Sequence, residues 1–171
     1  MSTHSFGNRY KLNPDDATNY SNRGTIYLHK RDYDRAIADC SKAIELDPKN
    51  ALNYNVLGYA CNAKGDYDLA LNNFTKAIEL NPTFGIAYNN RGYAYDAKGD
   101  YNRAMDDFAK AIALDPKNAE AFANRGLSYY RIGDTKKAVA EYRKAIKIIG
   151  GTEINPFLAK RLENLRLKLG Q

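Results

Sequence analysis

Residues 51–84 read ALNYNVLGYACNAKGDYDLALNNFTKAIELNPTF, and residues 85–118 read GIAYNNRGYAYDAKGDYNRAMDDFAKAIALDPKN. The second stretch repeats the first with its aromatic, glycine, alanine and proline positions unshifted. The same order runs back over residues 17–50 and forward over 119–150, and Pro14, Pro48, Pro82 and Pro116 stand 34 residues apart. A fixed period of this length means that one supersecondary unit is reused, which sets the fold class before any helix is placed.

Numbered within each unit, the fourth position is Tyr20, Tyr54, Tyr88 or Phe122 and the eighth is Gly24, Gly58, Gly92 or Gly126. The eleventh is Tyr27, Cys61, Tyr95 or Tyr129. A helix turns about 100° per residue, so these three positions share one face. Ala36, Ala70, Ala104 and Ala138 at position twenty share a face of a second helix with two further columns. These are Cys40, Phe74, Phe108 and Tyr142 at position twenty-four, and Ala43, Ala77, Ala111 and Ala145 at twenty-seven. Between the two helices Gly65-Asp66, Gly99-Asp100 and Gly133-Asp134 pair a helix-ending glycine with a capping aspartate. Proline stops the second helix by excluding the residue before it from helical backbone. Asn50 and Asn118 cap the next unit, while Phe84 in the same column is expected to cap poorly. Each unit is thus a helical hairpin, and hairpins bury their apolar faces by stacking.

This order of aromatic, glycine, aromatic, alanine, aromatic, alanine and proline at period 34 resembles the tetratricopeptide repeat family, over about four-fifths of the chain. The resemblance implies an all-α right-handed superhelix, an α-solenoid of hairpins over 17–50, 51–84, 85–118 and 119–150. Residues 1–16 read as the tail of a repeat, either degenerate or cut from a longer array. Residues 151–171 read as a capping helix with the apolar stripe Leu158, Leu162, Leu165 and Leu169. In this family the first helices line a concave groove that holds peptides. Positions two, five, nine, twelve and thirteen, with six at the edge, point away from the packing face. They put Asn22, Leu52, Asn55, Tyr59, Asn62, Ala63, Ile86, Asn89, Asn90 and Tyr93 in the lining, with Asp96, Glu120, Asn124, Leu127, Tyr130 and Arg131.

Relatives that grip acidic chaperone tails use cations at set groove positions, and here those positions hold Ser21, Ile86 and Asn90. Amides offer donors and acceptors to an extended main chain, and tyrosines supply interface area. The expected function is therefore a protein-interaction scaffold holding a partner's peptide. Replacing Asn55, Asn89, Asn90 and Asn124 by alanine is then expected to abolish capture and leave stability unchanged. Alternatives are self-assembly through the array ends, or service as the targeting arm of a larger protein. Arg23, Arg91 and Arg125 read as aliphatic stems packed across the stack with their charges at its rim.

Net charge is +6, all of it beyond residue 118: residues 1–118 hold fifteen basic and fifteen acidic side chains. That excess, with Lys136, Lys137, Arg143, Lys144 and Lys147, either solvates the last hairpin or meets an acidic partner. No nucleic-acid module is legible. His4 and His29 have no metal-ligand spacing, no cofactor motif occurs, and the periodic aspartates read as caps, so catalysis is not expected. With no signal segment or spanning run in the given chain, the cytoplasm is the default location. Cys40 and Cys61 read as buried thiols, with an inter-hairpin disulfide or redox switch as the other readings.

Overall fold

The computed structural model describes residues 16–150, which form eight α-helices and no strand. Four antiparallel pairs follow in order. They are α1 (Ala17–His29) with α2 (Tyr33–Leu46), α3 (Ala51–Ala63) with α4 (Tyr67–Leu80), α5 (Gly85–Ala97) with α6 (Tyr101–Leu114), and α7 (Ala119–Arg131) with α8 (Thr135–Ile149). Of the repeat-tail segment 1–16 only Asp16, which caps α1, is among the described residues, and the capping helix expected at 151–171 lies outside them.

The helix ends follow from local chemistry. Asp32, Asp66, Asp100 and Asp134 accept the backbone N–H of Arg35, Leu69, Arg103 and Lys137, satisfying donors the first helical turn leaves open. Asn50 and Asn118 cap α3 and α7 likewise, and Phe84 gives α5 no side-chain cap. Gly65, Gly99 and Gly133 turn each hairpin at positive φ. In the first hairpin Arg31 takes that left-handed conformation instead, at φ 59°. Before the prolines, Asp47, Asn81 and Asp115 leave the helix, and their side chains accept the N–H of Lys49, Thr83 and Lys117.

Packing explains the column residues. Every alanine at positions twenty and twenty-seven is fully buried, as are Cys40, Phe74, Phe108 and Tyr142. A Cβ on Gly58 would lie 2.7 Å from Phe74, and one on Gly92 2.8 Å from Phe108. Glycine is present because the facing ring fills the space a side chain would need. One core cluster joins Cys40, Val56, Leu57, Cys61, Ala70, Phe74 and Ala94, so it crosses three hairpins without interruption. Both cysteines are free and buried, and burial pushes the Cys40 thiol up to about 12.

Each second helix packs on the following first helix, and successive first helices also touch: α1 on α3, α3 on α5, α5 on α7. No two second helices make a comparable contact among the described residues. The array therefore curves with its first helices on the inside.

Candidate functional site

On that inner side, α3 and α5 present one repeated pair of apolar groups. Leu52 and Tyr59 lie two turns apart on α3, and Ile86 and Tyr93 occupy the same columns on α5. All four are exposed, at 49, 50, 57 and 45%. Large apolar side chains half open to water on two touching helices make a continuous patch rather than scattered singles. On α1 the same columns hold Thr18 and Thr25, and on α7 Glu120 and Leu127, so the patch is centred on the second and third hairpins.

Beside it the asparagines form a ladder. Asn90 Nδ2 donates to Asn55 Oδ1 at 3.1 Å, and Asn124 Nδ2 donates to Asn89 Oδ1 at 3.2 Å. Position six of one hairpin thus bonds position five of the hairpin before it. Asn55 and Asn89 are buried, not open to the groove as expected, because position five faces the next first helix. Asn90 and Asn124 are half-buried and Asn22 is exposed. Each bonded amide retains donor and acceptor capacity beyond its one rung.

A second polar seam lies further along the same helices. Asp96, buried on α5, accepts from Ser128 Oγ at 2.7 Å and pairs with Arg131 of α7. Two charges expected in the groove lining therefore neutralise one another. The preceding seam has Asn62 in place of Asp96, and Ala94 and Ala97 in place of Ser128 and Arg131. Neither alanine can donate, and the buried Asn62 Oδ1 has no hydrogen-bond partner among the described residues. It lines a cleft of about 440 Å³ with Tyr33, Tyr59, Ala63, Tyr67, Phe74, Asn90, Tyr93 and Glu120. Tyr33 and Tyr67 begin α2 and α4 and were missed as lining residues, although a tyrosine at position seventeen recurs as Tyr33, Tyr67 and Tyr101. Tyr130 and Leu127 are half-buried on α7.

The arginine column departs from its sequence reading. Arg23 grips Asp39 through two bonds of 2.6 Å, Arg91 grips Asp107 through two of 2.8 Å, and Arg125 grips Glu141. These forks join the two helices of one hairpin rather than reaching over the stack; only Arg91 also reaches the previous hairpin, at Thr75. Hydrogen bonding to Asp107 holds the Arg91 guanidinium charged against its partial burial. Where the second hairpin has Leu57, the facing residue is Asn73, which bonds the Leu69 carbonyl instead. In the basic last hairpin, Lys137 and Lys144 sit on Asp134 and Glu141.

Among the described residues no group of three or more His, Cys, Asp or Glu could hold a metal ion, and no helix is long and apolar enough to cross a membrane. No curated protein matches the chain in sequence. Solved structures do. The crystal structure of MamA is 27% identical with a TM-score of 0.72 over 80% of each chain. Pseudomonas aeruginosa pilF is 22% identical with a TM-score of 0.81, over 93% of this chain and 72% of that one. The first TPR of Spaghetti (RPAP3), solved with HSP90 peptide SRMEEVD, is 25% identical with a TM-score of 0.65, over 73% and 97%. Tetratricopeptide repeat models match residues 17–50, 40–72 and 119–150, and a TPR repeat model matches 58–99 and 94–133. With the hairpin architecture these place the chain in the tetratricopeptide repeat family.

Proposed function

We propose that the chain is a protein-interaction scaffold that holds a peptide segment of a partner along its first helices. The observation that carries this is the exposed stripe Leu52, Tyr59, Ile86 and Tyr93 on the inner side of the array. Leaving such groups in water forgoes roughly 1.5–3 kcal/mol per fully buried side chain, a gain that a bound segment recovers. Asn90 and Asn124 flank the stripe with amide capacity for the peptide main chain, while Asn55 and Asn89 hold them in place. Tyr130 and Arg131 lie at its far end on α7.

The RPAP3 domain binds a peptide rich in acidic residues. Here Ser21 is buried, Ile86 is apolar and Asn90 is committed to Asn55, so an acidic tail meets no cation at those positions. The segment this groove favours is apolar in the main, gripped through its backbone.

The test is site-specific photocrosslinking. Benzoylphenylalanine replaces Leu52 or Ile86 on the inner side, and Lys76 or Lys110 on the second helices, in cells that make the protein. Adducts with another polypeptide from 52 and 86, and none from 76 and 110, support the groove. Equal crosslinking from the second helices, or adducts only with further copies of this chain, overturns it.

A further inference from the structure

We infer that the cleft between the second and third hairpins receives a basic side chain, lysine or arginine, of the bound segment. This rests on the groove reading and adds the chemistry of its central contact.

Cations of the chain cover some of its aromatic rings and leave others uncovered. Tyr20, Tyr27, Tyr88, Tyr95, Phe122 and Tyr129 each have an arginine or lysine of the chain itself over the ring, at 4.5–6.0 Å from the centroid. Among the described residues none covers the four tyrosines of the cleft, Tyr33, Tyr59, Tyr67 and Tyr93, nor Tyr54 and Tyr101 elsewhere. A cation over such a face is attracted by the ring quadrupole, and four tyrosine rings gathered around one cleft can supply that attraction to a positive charge.

The polar groups agree with that charge. Asn62 Oδ1 is a buried acceptor with no hydrogen-bond partner among the described residues, and an acceptor left so costs free energy until a donor bonds it. Glu120 lines the same cleft from the first turn of α7 and is in no ion pair among the described residues. Asn90 gives one Nδ2 hydrogen to Asn55 and makes no bond to Asn62. The nearest lysines in sequence, Lys64 and Lys98, are held by Asp34 and Asp68. No arginine or lysine lines the cleft. It therefore offers π faces, a carboxylate and an orphan acceptor, which suits an ammonium or guanidinium and repels a carboxylate. The basic excess beyond residue 118 does not fill it, because Arg131 is spent on Asp96.

The experiment selects a random dodecapeptide library displayed on phage against the full chain. Selected peptides are then titrated against wild type, Glu120→Gln, Asn62→Leu and the double variant Tyr59→Ala/Tyr93→Ala. Thermal melts confirm that Glu120→Gln, an exposed change without partners, folds as wild type. The expected peptides share a Lys or Arg among apolar residues. Their affinity falls about five-fold or more with Glu120→Gln and further with the tyrosine pair, and replacing their basic residue by norleucine removes the Glu120 dependence. Selected peptides without a basic residue that still lose affinity in the tyrosine variant overturn this inference and leave the groove standing. Peptides indifferent to the tyrosines, or no enrichment, overturn both.

Discussion

Replacing the position-eight glycine by alanine should have unequal consequences in two hairpins of the same array. In a helix interior alanine is better than glycine by about 0.8–1 kcal/mol, so every such change begins with that gain. At Gly92 the new Cβ would lie 2.8 and 2.9 Å from Phe108 and 3.1 Å from the Ala104 carbonyl oxygen. Carbon atoms prefer about 3.5–4.0 Å, and Phe108 is fully buried with nowhere to turn. Overpacking of this kind costs roughly 1–3 kcal/mol, and two ring contacts plus a backbone contact fall in the upper half of that range. The net loss for Gly92→Ala is then about 1–2 kcal/mol once the propensity gain is subtracted. At Gly126 the shortest contacts are 3.2 Å to Glu141 Cβ, 3.3 Å to the Ala138 oxygen and 3.4 Å to Tyr142. Relief of a few tenths of an ångström suffices there, and Gly126→Ala should fall within about 0.5 kcal/mol of wild type. Urea unfolding followed by circular dichroism, with m-values compared, measures both. Equal losses, or a larger one at Gly126, would refute ring proximity as the reason for glycine in this column.

Two further outcomes follow from the buried polar groups. Arg91→Leu alone strands the Asp107 carboxylate and should cost about 3–5 kcal/mol; adding Asp107→Asn recreates the Leu57–Asn73 pair of the second hairpin and should restore most of it in the same urea assay. On α3, Asn53 is buried with neither amide atom bonded, in a column where Ala87 and Ala121 stand, so Asn53→Ala should raise stability by about 1 kcal/mol. Asn55→Ala, two residues on, strands Asn90 Nδ2 and should lower it by about as much; the same sign at both positions would contradict the bonding described.

What the sequence disclosed, and what it hid, divides by the distance over which residues act. Asp32, Asp66, Asp100 and Asp134 cap helices that begin one residue later, so local chemistry alone announces them. The core columns are equally legible, because helical periodicity sorts residues by face. The arginine forks were misread, since they join positions sixteen apart on antiparallel helices and no single-helix projection brings them together. Their signal was nonetheless present: Arg pairs with Asp, Asp or Glu, and Leu with Asn, always sixteen residues on. The asparagines were assigned to the right helices but to the wrong exposure, because a rung 35 residues long depends on how one hairpin rotates against the next. Tyr33 and Tyr67 enter the cleft from second helices, which a groove drawn from first helices alone leaves out.

The seams between hairpins differ in ways that change in step. At the outer turns, Asp34 meets Lys64 and Asp68 meets Lys98, whereas the third seam has Asn102 and Ile132 in those places. At the inner side, Asp96 meets Ser128 and Arg131 in the third seam, and the same columns of the first seam hold Leu28, Ala60 and Ala63. Both of those seams are complete, one apolar and one ionic. The middle seam combines the small residues of the first with a polar residue like that of the third, so Asn62 faces alanines that cannot answer it. A mismatch of this kind weakens an array held by nearest-neighbour contacts, and the buried acceptor costs stability wherever nothing bonds it. It lies in the cleft where, among the described residues, four tyrosines have no cation over their rings and Glu120 has no ion pair. An incomplete seam at the centre of the groove is what a ligand with a donor and a positive charge would complete.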